Sequence, residues 1–147
     1  MSQSSRSYIW PLLHLNDGES IVIKGSLPCG GVRFDINFQT DSNIDAGDIV
    51  FHMSNRYGTD YDQIVLNTRK TNVGWMTEDI HNKAGVLTPG SVFNITIALV
   101  GDQFSVAVNG HHFANFKVRL PIRCIKYFSV IGEVELSSLA HAQTGYR

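Results

Sequence analysis

The 147 residues contain only two cysteines, Cys29 and Cys124, so no disulfide framework is available to hold the fold. Both read as reduced thiols, and the expectation that follows is synthesis in the cytosol. Charge of one sign is also lacking. Twelve basic residues face thirteen acidic ones for a net charge of −1, with no long run of either kind. That excludes the basic stripe that tracks a phosphate backbone, and nucleic acid is not an expected partner. Long apolar runs are missing as well. The one near the start, Ile9-Trp10-Pro11-Leu12-Leu13, is too short for a secretory core and is interrupted by proline. No stretch approaches a membrane span, so insertion is not expected. What remains is a chain with 43% hydrophobic residues, the makeup of one globular domain large enough to bury its own core. We assign residues 1–7, rich in serine, to a flexible tail and residues 8–147 to a single domain.

The dominant pattern is alternation with a period of two. It recurs in Ser20-Ile21-Val22-Ile23-Lys24, Arg33-Phe34-Asp35-Ile36-Asn37-Phe38, Val92 to Leu99 and Phe104 to Val108. These runs are rich in β-branched and aromatic residues and end at turn formers. Asn109-Gly110 is a strong hairpin signal, because a type I′ turn needs positive φ at both central positions. No window shows a 3.6-residue apolar period. About ten or eleven short strands are expected, forming an all-β, antiparallel two-sheet sandwich. Asn94-Ile95-Thr96 matches a glycosylation acceptor but lies inside an alternating run, and we read it as a chance match.

Three of the strand-like stretches carry chemistry. In Ile49 to Arg56, alternation sends Val50, His52, Ser54 and Arg56 to one face and Ile49, Phe51 and Met53 to the core. In the next run Ile64 and Leu66 are core-like, while Val65 and Asn67 face the other way. Trp75 and Glu78 follow. Paired as neighbours, these strands bring an arginine fork, an imidazole, an amide, a carboxylate and one indole around a small ligand. Such a set suits a sugar. The fork and amide meet hydroxyls with little loss of freedom, and the indole face receives the C–H side of a pyranose.

The order Phe51-His52-Met53-Ser54-Asn55-Arg56, Val65-Leu66-Asn67, Trp75-Met76-Thr77-Glu78 resembles the carbohydrate signature of the galectins, the β-galactoside-binding lectins. The resemblance runs from about Tyr8 to about Leu139 and includes Phe34-Asp35-Ile36-Asn37-Phe38, Phe104 to Gly110 and Ile131-Gly132-Glu133-Val134. It implies a jelly-roll-like sandwich of a five- and a six-stranded sheet. It also implies that His52 and Arg56 grip the axial O4 of galactose, that Asn67 and Glu78 bind O6, that Trp75 stacks under the ring and that Val65 lines the pocket. An Arg56–Glu78 pair would preorganise the site. The family usually has asparagine where Ser54 stands, proline where Asn55 stands, and commonly arginine where Ile80 stands. Ser54 would leave a gap for water, and Ile80 would weaken the hold on a second sugar. Asn55 cannot take over from Ser54 without a bulge, because its parity is that of the core.

The expected function is therefore a non-catalytic lectin for β-galactosides, of the lactose or N-acetyllactosamine type, carried on glycans and glycoproteins. No cofactor or metal is expected. His81, His111 and His112 lack the companions of a metal site. Glycoside hydrolysis needs two carboxylates roughly 5–10 Å apart, and near the sugar only Glu78 is placed to act. Glu133 and Glu135 share parity but stand on a late strand without polar company. Trp10 reads as a packing residue. Two alternatives stay open: an interaction protein of the same fold that has lost lactose binding, and a lectin for a different glycan. The resemblance also implies synthesis in the cytosol with export that needs no signal peptide. Homodimers made through edge strands near the termini are common in the family, and the sequence leaves that arrangement open.

Overall fold

Alternation converts directly into strands in the computed structural model, which describes residues 5–12, 14–58, 61–82 and 85–143. In chain order the strands are β1 (Arg6–Pro11), β2 (Glu19–Ser26), β3 (Arg33–Gln39), β4 (Ile49–Gly58), β5 (Tyr61–Lys70) and β6 (Gly74–Trp75). They continue with β7 (Asp79–His81), β8 (Val92–Val100), β9 (Gln103–Val108), β10 (His111–Lys117), β11 (Tyr127–Gly132) and β12 (Glu135–Gln143). One 3-10 turn, Ile122–Cys124, is the single helical element among the described residues. No helix among them is long and apolar enough to cross a membrane.

The strands form two antiparallel sheets, as expected of a jelly-roll-like sandwich. One has the order β1-β11-β3-β4-β5-β6, with β7 also paired to β5, and the other has the order β10-β9-β8-β2-β12. The expected pair of five and six strands is thus five and seven. The difference lies in β6 and β7, two and three residues long, too short to leave a periodic trace in the sequence. Arg6 and Ser7, assigned to the tail from sequence, instead open β1 and pair with Gly132 and Ile131. Serine-rich composition does not prevent pairing at an edge that a hydrophobic neighbour, Tyr8, fixes in register. Residues 1–4 of the expected tail lie outside the described residues.

The core fills the space between the sheets. Phe38 and Phe51 of one sheet meet Phe104 of the other at ring-centroid distances of 5.4 and 4.7 Å, and Phe128 lies 5.0 Å from Phe38. All four rings are buried, and truncating one to alanine removes about 3–5 kcal/mol in cores of this kind. Trp10 packs against this core beside Tyr8 and Phe128. Asn109 and Gly110 close the β9–β10 hairpin with φ of +52° and +82°, the mirror-image turn that the sequence called for. Cys29 and Cys124 are both exposed and unpaired.

One departure from simple alternation shapes the binding face. Opposite Phe38 and Gln39 of β3 stand Phe51 and Ile49 of β4, so Val50 is an extra residue in a β-bulge. Val50 therefore joins the core cluster instead of the ligand face, and Ile49 leaves that cluster, the reverse of the sequence expectation. Beyond the bulge, parity is as predicted. His52 sits between Asn37 and Asn67, and Ser54 between Asp35 and Val65.

Candidate functional site

A cleft of about 110 Å³ opens on the outer face of the seven-stranded sheet, lined by Arg33, His52, Arg56, Val65, Asn67, Trp75 and Glu78. Six of these are residues that the sequence singled out. Cross-strand register assembles them: His52 opposite Asn67, Ser54 opposite Val65, and Val65 in turn opposite Ile80 of β7. The cleft is far smaller than the ~300 Å³ lower bound of pockets for drug-sized ligands. It has room for one ring edge, with the rest of a ligand left in solvent. Larger hollows lie elsewhere, about 300 Å³ at the β9–β10 hairpin and about 380 Å³ between β1 and β12. We place the chemistry in the smaller one because an arginine, an imidazole, an amide and a carboxylate converge there beside a half-exposed indole.

His52 is the best-defined member. It is 7% exposed, and burial pushes its imidazole down to about 4, with Arg33, Arg56 and Arg69 adding to that shift and Asp35 opposing it. The ring is neutral at pH 7. Its tautomer follows from a hydrogen-bond chain that starts at a backbone carbonyl. The Gln39 amide nitrogen donates to the Asp41 carbonyl at 2.9 Å, so the Gln39 Oε1 must accept, and it does so from the Ser129 hydroxyl at 2.5 Å. Ser129 Oγ then accepts from Asn37 Nδ2 at 3.2 Å, which turns Asn37 Oδ1 toward His52 Nδ1 at 2.6 Å. Nδ1 therefore carries the proton, and Nε2 offers a lone pair. Gln39, Ser129, Asn37 and His52 are all buried, so the relay fixes the polarity of the cleft's central group.

Trp75 stands beside it with its ring centroid 4.5 Å from that of His52, and it is 49% exposed. A half-exposed indole is not a core residue. Arg69 lies 5.6 Å from the indole centroid, and its guanidinium also donates to the carbonyls of Ile44 and Gly47 in the β3–β4 loop. The plate is thus backed by an immobilised cation. Arg56 Nε donates to Ser54 Oγ at 3.2 Å. Ser54 is fully buried, and its hydroxyl positions the arginine instead of facing a ligand. Asn55, as its parity required, is buried on the core side, and its Oδ1 has no hydrogen-bond partner.

Asn67 is held from every side. Its Oδ1 accepts from the Thr68 backbone N–H at 2.7 Å and from Arg119 at 3.0 Å, and its Nδ2 donates to the Met76 carbonyl at 3.0 Å. One amide hydrogen remains for a ligand. Arg119 also donates to the Thr77 carbonyl at 2.8 Å, which ties the Trp75–Glu78 segment to β5. Glu78 is exposed at the rim of the cleft. Its carboxylate keeps its acceptor capacity for a ligand.

Sequence reasoning missed Arg33, Asp35, Asn37 and Arg119. The first three share one face of β3, a polar alternation visible in the sequence. What was missing was the knowledge that β3 is the neighbour of β4. Arg33 clamps Asp35 with two hydrogen bonds of 3.0 and 3.1 Å. This second carboxylate near the cleft therefore has both oxygens engaged and is badly placed to deliver a proton. Arg119 lies between elements, where no periodicity marks it. Among the described residues, no three His, Cys, Asp or Glu side chains converge on a possible metal position.

A shallow polar cleft with one aromatic plate, floored by a sheet of a β-sandwich, defines a carbohydrate-binding domain of the lectin class. Residues 11–141 match the family model described as Galactoside-binding lectin, and the chain belongs to that family. Among curated relatives, galectin-6 of Mus musculus is 29% identical over 125 residues, covering 85% of this chain and 40% of that protein. A 32 kDa β-galactoside-binding lectin of Caenorhabditis elegans is 30% identical, covering 82% and 42%. The chain thus spans less than half the length of these relatives. A solved variant of human galectin-16 superposes with a TM-score of 0.82 at 27% identity, covering 97% of this chain and 99% of that one. Sheep galectin-11, in complex with glycerol, shares the fold with a TM-score of 0.79 at 23% identity, covering 91% and 96%.

Proposed function

We propose that the chain from β1 to β12 forms one carbohydrate-recognition domain, a non-catalytic lectin that holds the galactose unit of β-galactosides in the cleft between β4, β5 and β6. The observation that carries this reading is the half-exposed Trp75 plate beside a buried His52 whose free nitrogen is fixed as an acceptor. The C–H face of galactose lies on the indole, and the axial O4 hydroxyl donates to His52 Nε2 while accepting from Arg56. The last amide hydrogen of Asn67 donates to O6, and Glu78 accepts from the same hydroxyl. An equatorial O4 would leave the buried imidazole without its partner, which is how the site distinguishes galactose from glucose.

Trp75 and Trp10 are the two tryptophans of the chain, one exposed and one packed. In a Trp10→Phe variant, emission therefore reports on Trp75 alone. Titration with lactose is expected to shift and saturate that emission, while maltose leaves it unchanged. An emission spectrum that no galactoside alters would refute the proposal.

A further inference from the structure

Polarity across the cleft is graded. The row His52–Asn67 is polar, but the adjacent row reads Ser54, Val65, Ile80 from β4 outward. Ser54 is buried and its hydroxyl is occupied by Arg56. Val65 is 2% exposed and Ile80 46% exposed. Beyond the galactose position, this side of the cleft therefore offers an aliphatic wall and no hydrogen-bonding side chain from that row. Four of the eight large hydrophobics exposed among the described residues, Val73, Trp75, Met76 and Ile80, belong to the stretch of residues 73–80. A second sugar ring lying over Val65 and Ile80 would lose water from its hydroxyls there and gain no hydrogen-bond partner from either side chain. An apolar group there would cover Ile80 and strengthen binding.

Resting on the reading that the cleft holds galactose, we propose that the subsite walled by Val65 and Ile80 takes an apolar aglycone, an alkyl or aryl group on the anomeric oxygen of galactose, in preference to a second sugar. The wall is continuous with the cleft through Val65, which lines both. Its position on two paired strands makes it rigid. The substrate class is therefore simple β-galactosides of hydrophobic alcohols.

The test is a calorimetric comparison of methyl, hexyl and phenyl β-galactoside with lactose, on the protein and on Ile80→Ala and Ile80→Arg. Ile80 is half exposed, so neither change disturbs the core. The hexyl and phenyl glycosides are expected to bind on the order of tenfold tighter than the methyl glycoside, with lactose no tighter than methyl. Ile80→Ala should bring hexyl and phenyl close to methyl while leaving methyl unchanged, and Ile80→Arg should raise lactose above both. If methyl galactoside binds but hexyl and phenyl gain nothing, or their gain survives Ile80→Ala, this inference fails and the lectin reading stands. If none of the galactosides binds, both fall together.

Discussion

Acidification should weaken this domain through one residue. The His52 imidazole titrates near 6.5 in an unfolded chain and is pushed down to about 4 in the fold, chiefly by burial. A depressed histidine means that the fold prefers the neutral ring. The stabilisation is complete above pH 6.5 and is lost as pH falls from 6.5 toward 4, because the unfolded chain takes up the proton first. Between pH 7 and pH 5 the loss amounts to about 2 kcal/mol, a large part of the 5–15 kcal/mol typical of a domain. The lowered carboxyls of Glu19 and Asp48 also favour the fold at neutral pH. Their contributions are lost below 4.5 and 3.8, so they act mostly beneath this window. Urea unfolding at pH 7, 6 and 5, followed by tryptophan emission, measures the effect. His52→Gln removes the titrating ring and serves as the control. The slope of stability against pH should be steeper in the unmodified protein, the two differing by about 2 kcal/mol over the window. Parallel slopes would refute the assignment of a buried neutral ring. Galactoside affinity of the folded domain should hold between pH 7 and pH 5 and fall only as pH approaches 4, where protonation turns the Nε2 acceptor into a donor.

Two further substitutions probe how the site is supported. Arg119→Ala removes the donors to Asn67 Oδ1 and the Thr77 carbonyl. It should cost about 1.5–3 kcal/mol in unfolding, the scale of hydrogen bonds to a charged group, and weaken galactoside binding at unchanged stoichiometry; an unaltered binding isotherm would contradict the positioning role. Asn55→Val replaces a buried amide whose Oδ1 is orphaned. It should raise the denaturation midpoint by about 1 kcal/mol of stability, and a lowered midpoint would show that the amide has a partner in solution.

The sandwich was legible because alternation is a local property and because its consequences, buried Phe38, Phe51 and Phe104 against polar neighbours, do not depend on which strand pairs with which. The site was legible on β4 and β5 for the same reason: His52, Ser54 and Arg56 share parity, and so do Val65 and Asn67. Three kinds of information were not. The bulge that sent Val50 into the core inserts a residue without changing composition. The partnership of β3 with β4, which brings Arg33 and Asn37 to the cleft, is made across the loop 40–48 and not by a two-residue hairpin turn that the sequence would announce. The grip of Arg119 on Asn67 spans 52 positions. Ser54 and Ile80, two of the departures from the family pattern, were visible at once. Their physical meaning, one a support for Arg56 and the other an apolar wall, required the register.

The central claim is that His52 and Trp75 together read the axial hydroxyl of galactose. Calorimetric titration with methyl β-galactoside and methyl β-glucoside, which differ only at O4, tests it most directly when repeated on Trp75→Ala. The account predicts a saturable isotherm with one site for the galactoside, none for the glucoside, and loss of the first in the variant. Equal binding of the two epimers, or galactoside binding that survives removal of the indole, would contradict it.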